Sequence, residues 1–321
     1  MVAVIELRNV TKELGRRVIL GNVSFQIEKG DIFGIIGMSG SGKTTLLNHL
    51  IGFLKPDEGD VFYQPSYVVN QEQQMKSMYH NLRNVQKIFG FAPQDPSFYP
   101  KLTIEENLKL FGSLYHLKKN AIVNNMNHLL ELTQLTKHKK KLAEQLSGGM
   151  QRRLSVICSL IHNPEVLILD EPTADLDPIL REETWNLIRK INKQGTTIII
   201  ASHFLDELEM VCDKVAILHE GQVIKVGGLD EIKNNYSHNN VEVHVEVDGP
   251  ISHLFKFINK NDFVNFKEHQ NKIIFTSTTP QNILFNLSSA MKNRQITNIK
   301  SLEVHKPSLK EIFEELEKLK K

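Results

Sequence analysis

Residues Gly37-Met38-Ser39-Gly40-Ser41-Gly42-Lys43-Thr44 fit the spacing G-x-x-x-x-G-K-[ST]. They stand between the apolar run Asp31–Ile36 and a helical continuation, Thr44–Ile51. No other stretch constrains the fold as strongly. The glycines let backbone N–H groups wrap a triphosphate, the lysine reaches its outer oxygens, and the hydroxyl suits a magnesium ion. A strand must deliver such a loop and a helix must leave it, because the partial positive charge of a helix N-terminus completes the anion cradle. The spacing predicts a strand–loop–helix unit with Gly37, Met38, Ser39, Gly40, Ser41, Gly42, Lys43, Thr44 and Thr45 around a nucleotide.

At 321 residues the chain has room for two domains. Its 39 basic and 37 acidic residues leave a net charge of +2, which does not propose a nucleic-acid partner. Cys158 and Cys212 have neither metal nor redox spacing and read as small core residues in a reducing compartment. No run approaches the ~18 apolar residues that span a bilayer, and Met1–Glu6 has no basic leader, so any membrane role is expected to come through a partner.

Val2–Arg8 and Val23–Ile27 read as strands flanking a turn at Gly15. Residues 64–86, rich in Gln and Asn without an apolar period, read as a surface insertion, at most partly helical. A helical pattern fills residues 95–163. Strand runs return at Val166–Leu169, Thr196–Ala201 and Lys214–Leu218, separated by helical stretches near 179–193 and 204–211. Short apolar strands alternating with helices predict an α/β fold around a mainly parallel sheet, interrupted by a helical insertion. Lys118-Lys119 and Lys137–Lys141 read as solvated helix ends and loop, with attraction to an anionic membrane surface as the alternative.

The polar stretch Asn234–Asn240 reads as a linker, dividing a domain at 1–236 from a second at 238–321. Val241–Val247 then alternates strictly, a helix pattern covers Ile251–Ile258, and strands at 263–268 and 273–276, a helix from Pro280 and a strand at Ile299–Val304 follow. That β-α-β-β-α-β order predicts a small split βαβ, ferredoxin-like α+β domain. Ser308 and Glu311 form a capping box for a last amphipathic helix.

Val166-Leu167-Ile168-Leu169-Asp170-Glu171 is an apolar strand ending in two carboxylates. Acids delivered from a buried strand need a partner, and magnesium held by Thr44 and Asp170 beside a nucleotide provides one. Glu171, one residue on, is then placed to act as general base toward water.

With these residues in place, the chain resembles the ATP-binding-cassette family over about residues 2–230. The resemblance rests on the phosphate loop, Phe91-Ala92-Pro93-Gln94, Leu146-Ser147-Gly148-Gly149-Met150-Gln151, Asp170-Glu171-Pro172-Thr173, Ala174-Asp175-Leu176-Asp177 and Ser202-His203, in family order. It implies a P-loop ATPase of the ABC type with an antiparallel β subdomain and a helical insertion, using ATP and Mg2+. It also implies that Gln94 touches the metal or the attacking water, and that His203 bonds the γ-phosphate. Ser147, Gly148 and Gly149 would face the nucleotide of a second ATPase chain, with Asp177 near the cross-subunit contact. A transmembrane permease would be the other partner, the chain lying on the cytoplasmic side as a peripheral subunit. Where the family places an adenine-stacking aromatic before Gly15, this chain has Leu14.

Glu105–Leu108, Met150–Ser155 and the tail Ser301–Leu309 resemble exporter ATPases. An importer ATPase with a ligand-sensing C-terminal domain is the first alternative, opposed by Met150 where importers carry Gln. A non-transport ABC ATPase is the second, opposed by the single cassette.

Overall fold

The computed structural model describes residues 2–64, 75–80, 82–237, 241–248, 264–269, 271–277, 279–293, 299–305 and 307–319. Contacts divide the chain into two units, Met1–Gly227 and Gly228–Lys321.

The first unit opens on a hairpin of β1 (Ala3–Leu14) and β2 (Arg17–Glu28), longer than the apolar runs predict. Side chains carry the extension across its irregular middle. Asn9 and Asn22 take left-handed φ of 51° and 54° near register shifts, and their N–H groups donate to the hydroxyls of Ser24 and Thr11 at 2.8 and 3.1 Å. The chain continues through β3 (Ile32–Ile36), α1 (Lys43–Leu50) and β4 (Glu58–Tyr63). Strands β2, β1 and β4, with β5 (Lys76–Ser77) beside β4, form an antiparallel sheet.

Residues 65–74 and 81 lie outside the described residues, but the remainder of the expected surface insertion is not all surface. After β5, Met78 and Val85 are fully buried in the main core, Val85 on the short helix α2 (Leu82–Gln86). Two apolar side chains seven residues apart make no recognisable period, so only packing selects them.

The second sheet is built from β3 with β6 (Phe89–Ala92), and, after the helical insertion of α3 (Ile104–Leu114), α4 (Lys119–Leu132) and α5 (Gly148–Leu160), from β7 (Val166–Asp170). Beyond α6 (Pro178–Lys193) come β8 (Thr197–Ser202), α7 (Leu205–Glu209), β9 (Lys214–His219) and β10 (Gln222–Gly228). The strand order is β10-β9-β3-β8-β7-β6, with β9, β3, β8, β7 and β6 mutually parallel. Every residue of β3, β7 and β8 is buried, as expected for parallel strands covered on both faces. One core joins the two sheets, and Phe25 stacks on Phe33 with ring centroids 5.4 Å apart across that junction.

In the insertion, Thr103 and Glu106 form a complete capping box at the start of α3. Buried Asn107 donates to the carbonyls of Tyr99, Leu102 and Thr103 and accepts from the Tyr99 N–H. One side chain thus satisfies the turn that feeds the helix.

The second unit begins with α8 (Leu229–Ser237), so Asn234–Ser237 are helical rather than linker. Strands β11 (Val241–Val247), β12 (Val264–His269), β13 (Lys272–Ser277) and β14 (Ile299–His305) form an antiparallel sheet in the order β12-β13-β11-β14. This is the arrangement a split βαβ order produces. The helix pattern at Ile251–Ile258 lies outside the described residues. Val243, Val245, Val247, Ile273 and Phe275 pack against Ile283, Leu287 and Ala290 of α9 (Pro280–Lys292). The last helix, α10 (Leu309–Leu319), starts at the Ser308–Glu311 capping box.

Candidate nucleotide-binding and catalytic site

The buried strand β3 delivers the phosphate loop, and α1 leaves it from Gly42, whose φ of 104° excludes a side chain without strain. A Cβ on Gly37 would come within 2.4 Å of the Leu218 carbonyl and Ser41 Oγ. Lys43 Nζ arches back to the carbonyls of Gly37 (2.8 Å) and Met38 (3.2 Å). Burial draws its pKa down, against the charges of Glu171 and Asp170. Ser41 Oγ is buried with no hydrogen-bond partner among the described residues. A glycine-rich turn at a helix N-terminus, a buried ammonium and an unsatisfied hydroxyl fit a polyphosphate.

Strand β7 brings the two carboxylates to this loop. The Thr44 hydroxyl donates to Asp170 Oδ2 at 3.1 Å, and burial raises the Asp170 pKa against that bond. Thr44 and Asp170 are both hard oxygen donors, the set that Mg2+ prefers.

Glu171 is held in an unusual backbone, with φ of 46°. For a non-glycine residue this costs on the order of 1–3 kcal/mol and persists only where surroundings impose it. Here they do. Its N–H donates to Ala201 O at 2.8 Å and its carbonyl accepts from Arg152 at 2.6 Å. Its carboxylate accepts from Ser202 Oγ at 3.0 Å, meets His203 Nδ1 at 2.8 Å and stands 3.9 Å from Lys43 Nζ. With Glu171 ionised, the shared proton sits on His203 Nδ1. The sequence-predicted set Lys43, Thr44, Asp170, Glu171 and His203 therefore converges at one place.

Other expected residues stand apart from it. Gln94 is exposed two positions beyond β6, with its carbonyl held by Arg152 and no side-chain hydrogen bond to Thr44 or Asp170 among the described residues. Ser147 caps α5, accepting from the Met150 N–H at 3.4 Å, while Gly148 is exposed and Gly149 buried. None of these three bonds to the phosphate loop within the described chain. Asp177 is the N-cap of α6, accepting from Ile179 and Leu180 at 3.0 Å each. Leu14 ends β1 and is 51% exposed.

Arg152 is the functional side chain that motif reading passed over. It is buried on α5, one turn past the signature, and all five of its donors reach backbone carbonyls. Nε bonds Pro172, Nη1 bonds Pro93 and Gln94, and Nη2 bonds Asp170 and Glu171, all at 2.6–2.9 Å. One guanidinium thereby ties the Gln94 segment to the carboxylate turn. Its signal was present: Arg152 shares a helix face with Ser155, Val156 and Ser159, all buried, and a charge on such a face must find partners.

Residues 20–174 match the family model described as ABC transporter, and residues 227–316 match ATP-binding protein DrrA1-3-like, C-terminal domain. Linearmycin resistance ATP-binding protein LnrL of Bacillus subtilis (strain 168) is 30% identical over 314 residues, covering 96% of each chain. Nod factor export ATP-binding protein I of Burkholderia lata is 34% identical over 226 residues, covering 70% of this chain and 71% of that one. Among solved structures, a nucleotide-free ATP-binding cassette from an ABC transporter is 29% identical with a TM-score of 0.63, over 73% of this chain and 94% of that one. A dimeric post-hydrolysis cassette bound to ADP and Pi is 28% identical with a TM-score of 0.59, over 70% and 98%. The phosphate loop, the carboxylates beside it and these likenesses converge: the chain belongs to the ABC transporter family, as an ATP-binding, ATP-hydrolysing subunit with a DrrA-like C-terminal domain.

Proposed function

We propose that this subunit powers export through a separate membrane permease, docked at the cytoplasmic face, and that two ATPase chains complete each hydrolytic site. The observation that carries the site reading is Glu171: strained, clamped on both backbone and carboxylate, and adjacent to the Thr44–Asp170 pair. Thr44 and Asp170, with Gln94, would hold Mg2+. When bound, that ion neutralises phosphate charge and orients the terminal phosphoryl group. Lys43 and the N–H groups of Gly37–Thr45 bind the phosphates. Glu171 takes the proton of the attacking water, while His203 Nδ1 steadies its carboxylate, and a proton on the second ring nitrogen lets the same ring donate to the phosphate. Ser147, Gly148 and Gly149 open α5, the first two of them exposed, suited to an anion held by the other chain, and Asp177 shapes that contact by fixing α6.

Export is supported by the Burkholderia relative, which is named for Nod factor export. A permease contact is supported by an apolar groove of about 670 Å³ lined by Phe53, Phe91, Phe111, Leu114 and Tyr115, next to Pro93. Phe53 is 79% exposed there. No helix among the described residues is long and apolar enough to cross a membrane.

Glu171→Gln tests the base. Phosphate release should fall about 10²-fold or more while ATP binding is retained. Near-normal turnover in that variant would reject the assignment.

A further inference from the structure

We infer that the C-terminal unit carries a second metal site, for a divalent transition cation, built from His244, Glu303 and His305 with Glu242 as its supporting carboxylate. It is independent of the nucleotide-site reading.

Strands β11 and β14 create it. Val243, Val245 and Val247 are fully buried, so Glu242 and His244 share the opposite face of the sheet. The antiparallel register sets Glu242 across from His305 and His244 across from Glu303. The result is a square of two imidazoles on one diagonal and two carboxylates on the other. One ligand atom from each of His244, Glu303 and His305 lies within 4.8 Å of the others. The two imidazole centroids are 4.9 Å apart.

Ligands of a four-coordinate zinc ion stand about 3.3 Å from one another, given metal–ligand bonds near 2.0–2.1 Å. Rotations that move the side-chain tips by on the order of 1 Å close the present set to that spacing. Glu303 and His305 have that freedom, with side chains 55% and 51% exposed. His244 and Glu242 are the anchored half, at 20% and 18% exposure, their Nε2 and Oε1 2.6 Å apart. Glu242 also hydrogen-bonds Glu311 on α10. That is how a half-buried carboxylate orients a ligating histidine. Two imidazoles and a carboxylate select zinc, nickel or copper over magnesium or calcium, which prefer all-oxygen sets.

A bound ion would pin β14, an edge strand of the sheet among the described residues, to β11. Because the binding geometry exists only in the folded unit, metal binding is coupled to its stability.

The test uses the 321-residue chain, freed of metal by a chelator, with Zn2+ as the probe in competition against a chromophoric chelator. One Zn2+ per chain should depend on this cluster. Combining His244→Ala with His305→Ala should abolish it, and Glu242→Gln should weaken it about 10–100-fold. Zn2+ should raise the thermal midpoint of the wild type but not of the double variant, whose Mg2+-supported ATP turnover should remain normal. Unchanged Zn2+ affinity in the double variant overturns the proposal. So does Zn2+ binding that is lost in His203→Ala instead, since it places the ion at the nucleotide site.

Discussion

All five donors of Arg152 are committed to backbone carbonyls, those of Pro172, Asp170 and Glu171 through buried bonds, so its loss leaves several acceptors unsatisfied at once. Each buried unsatisfied group costs about 1–3 kcal/mol. Arg152→Ala should destabilise the first unit by about 3 kcal/mol or more, read in denaturant melts. Turnover should fall at temperatures where the variant stays folded, because the Gln94 and Glu171 carbonyls lose their common tether. Arg152→Lys should not restore either property, since a lysine ammonium lacks the planar fork. Leu14 supports a prediction of the opposite sign. Placing an aromatic there should tighten ATP binding by up to about 1–3 kcal/mol through adenine stacking. The check is Leu14→Tyr in nucleotide titrations, with an unchanged constant counting against Leu14 as the adenine contact.

Elements are joined by side chains as well as by the sheet. Glu207 on α7 accepts from Thr173, Trp185 and Arg181, linking the segment after β7 to α6. His162, after α5, stacks on Tyr115 at the end of α3 with ring centroids 3.6 Å apart and meets the Phe89 carbonyl at 3.1 Å. Burial lowers its pKa from 6.5 to about 4. The unfolded chain therefore accepts a proton that the folded chain refuses, so stability rises with pH across that interval. The contribution is complete above pH 6.5 and is lost as pH falls from there toward 4. His162→Phe should flatten the loss of thermal midpoint over that window, and an unchanged slope would show that the ring titrates freely.

At the scale of the whole molecule, the signature residues Ser147, Gly148 and Gly149 make no bond to the phosphate loop of the same described chain. Turnover per chain should therefore rise with protein concentration and saturate as chains associate. Glu171→Gln with ATP should sediment as a dimer while the ADP-bound wild type remains smaller. Concentration-independent turnover by a monomer would refute the shared site.

Much of the site was legible in the chain because its chemistry is local. Gly37–Thr44 needs a strand before it and a helix after it, and Asp170-Glu171 ends a strand too apolar to sit anywhere but in the sheet. Long amphipathic or fully apolar runs announced most elements. The hairpin of β1 and β2 exceeded its apolar runs because Ser24 and Thr11 hydroxyls hold its bulges. Met78, Val85 and the helical Asn234–Ser237 carried no period to read.

The sequence by itself determined what has short range: the phosphate loop, the acidic strand end, the helix cap at Ser308, and the strand alternation of Val241–Val247. Backbone geometry and neighbouring side chains settle those within a few residues. Only the tertiary structure decided that Arg152 serves five carbonyls, that Ser202 and His203 grip Glu171, and that His244 faces Glu303 across two strands. Those contacts depend on which distant segments meet, and on a strand register in which a shift of one residue turns every side chain to the other face.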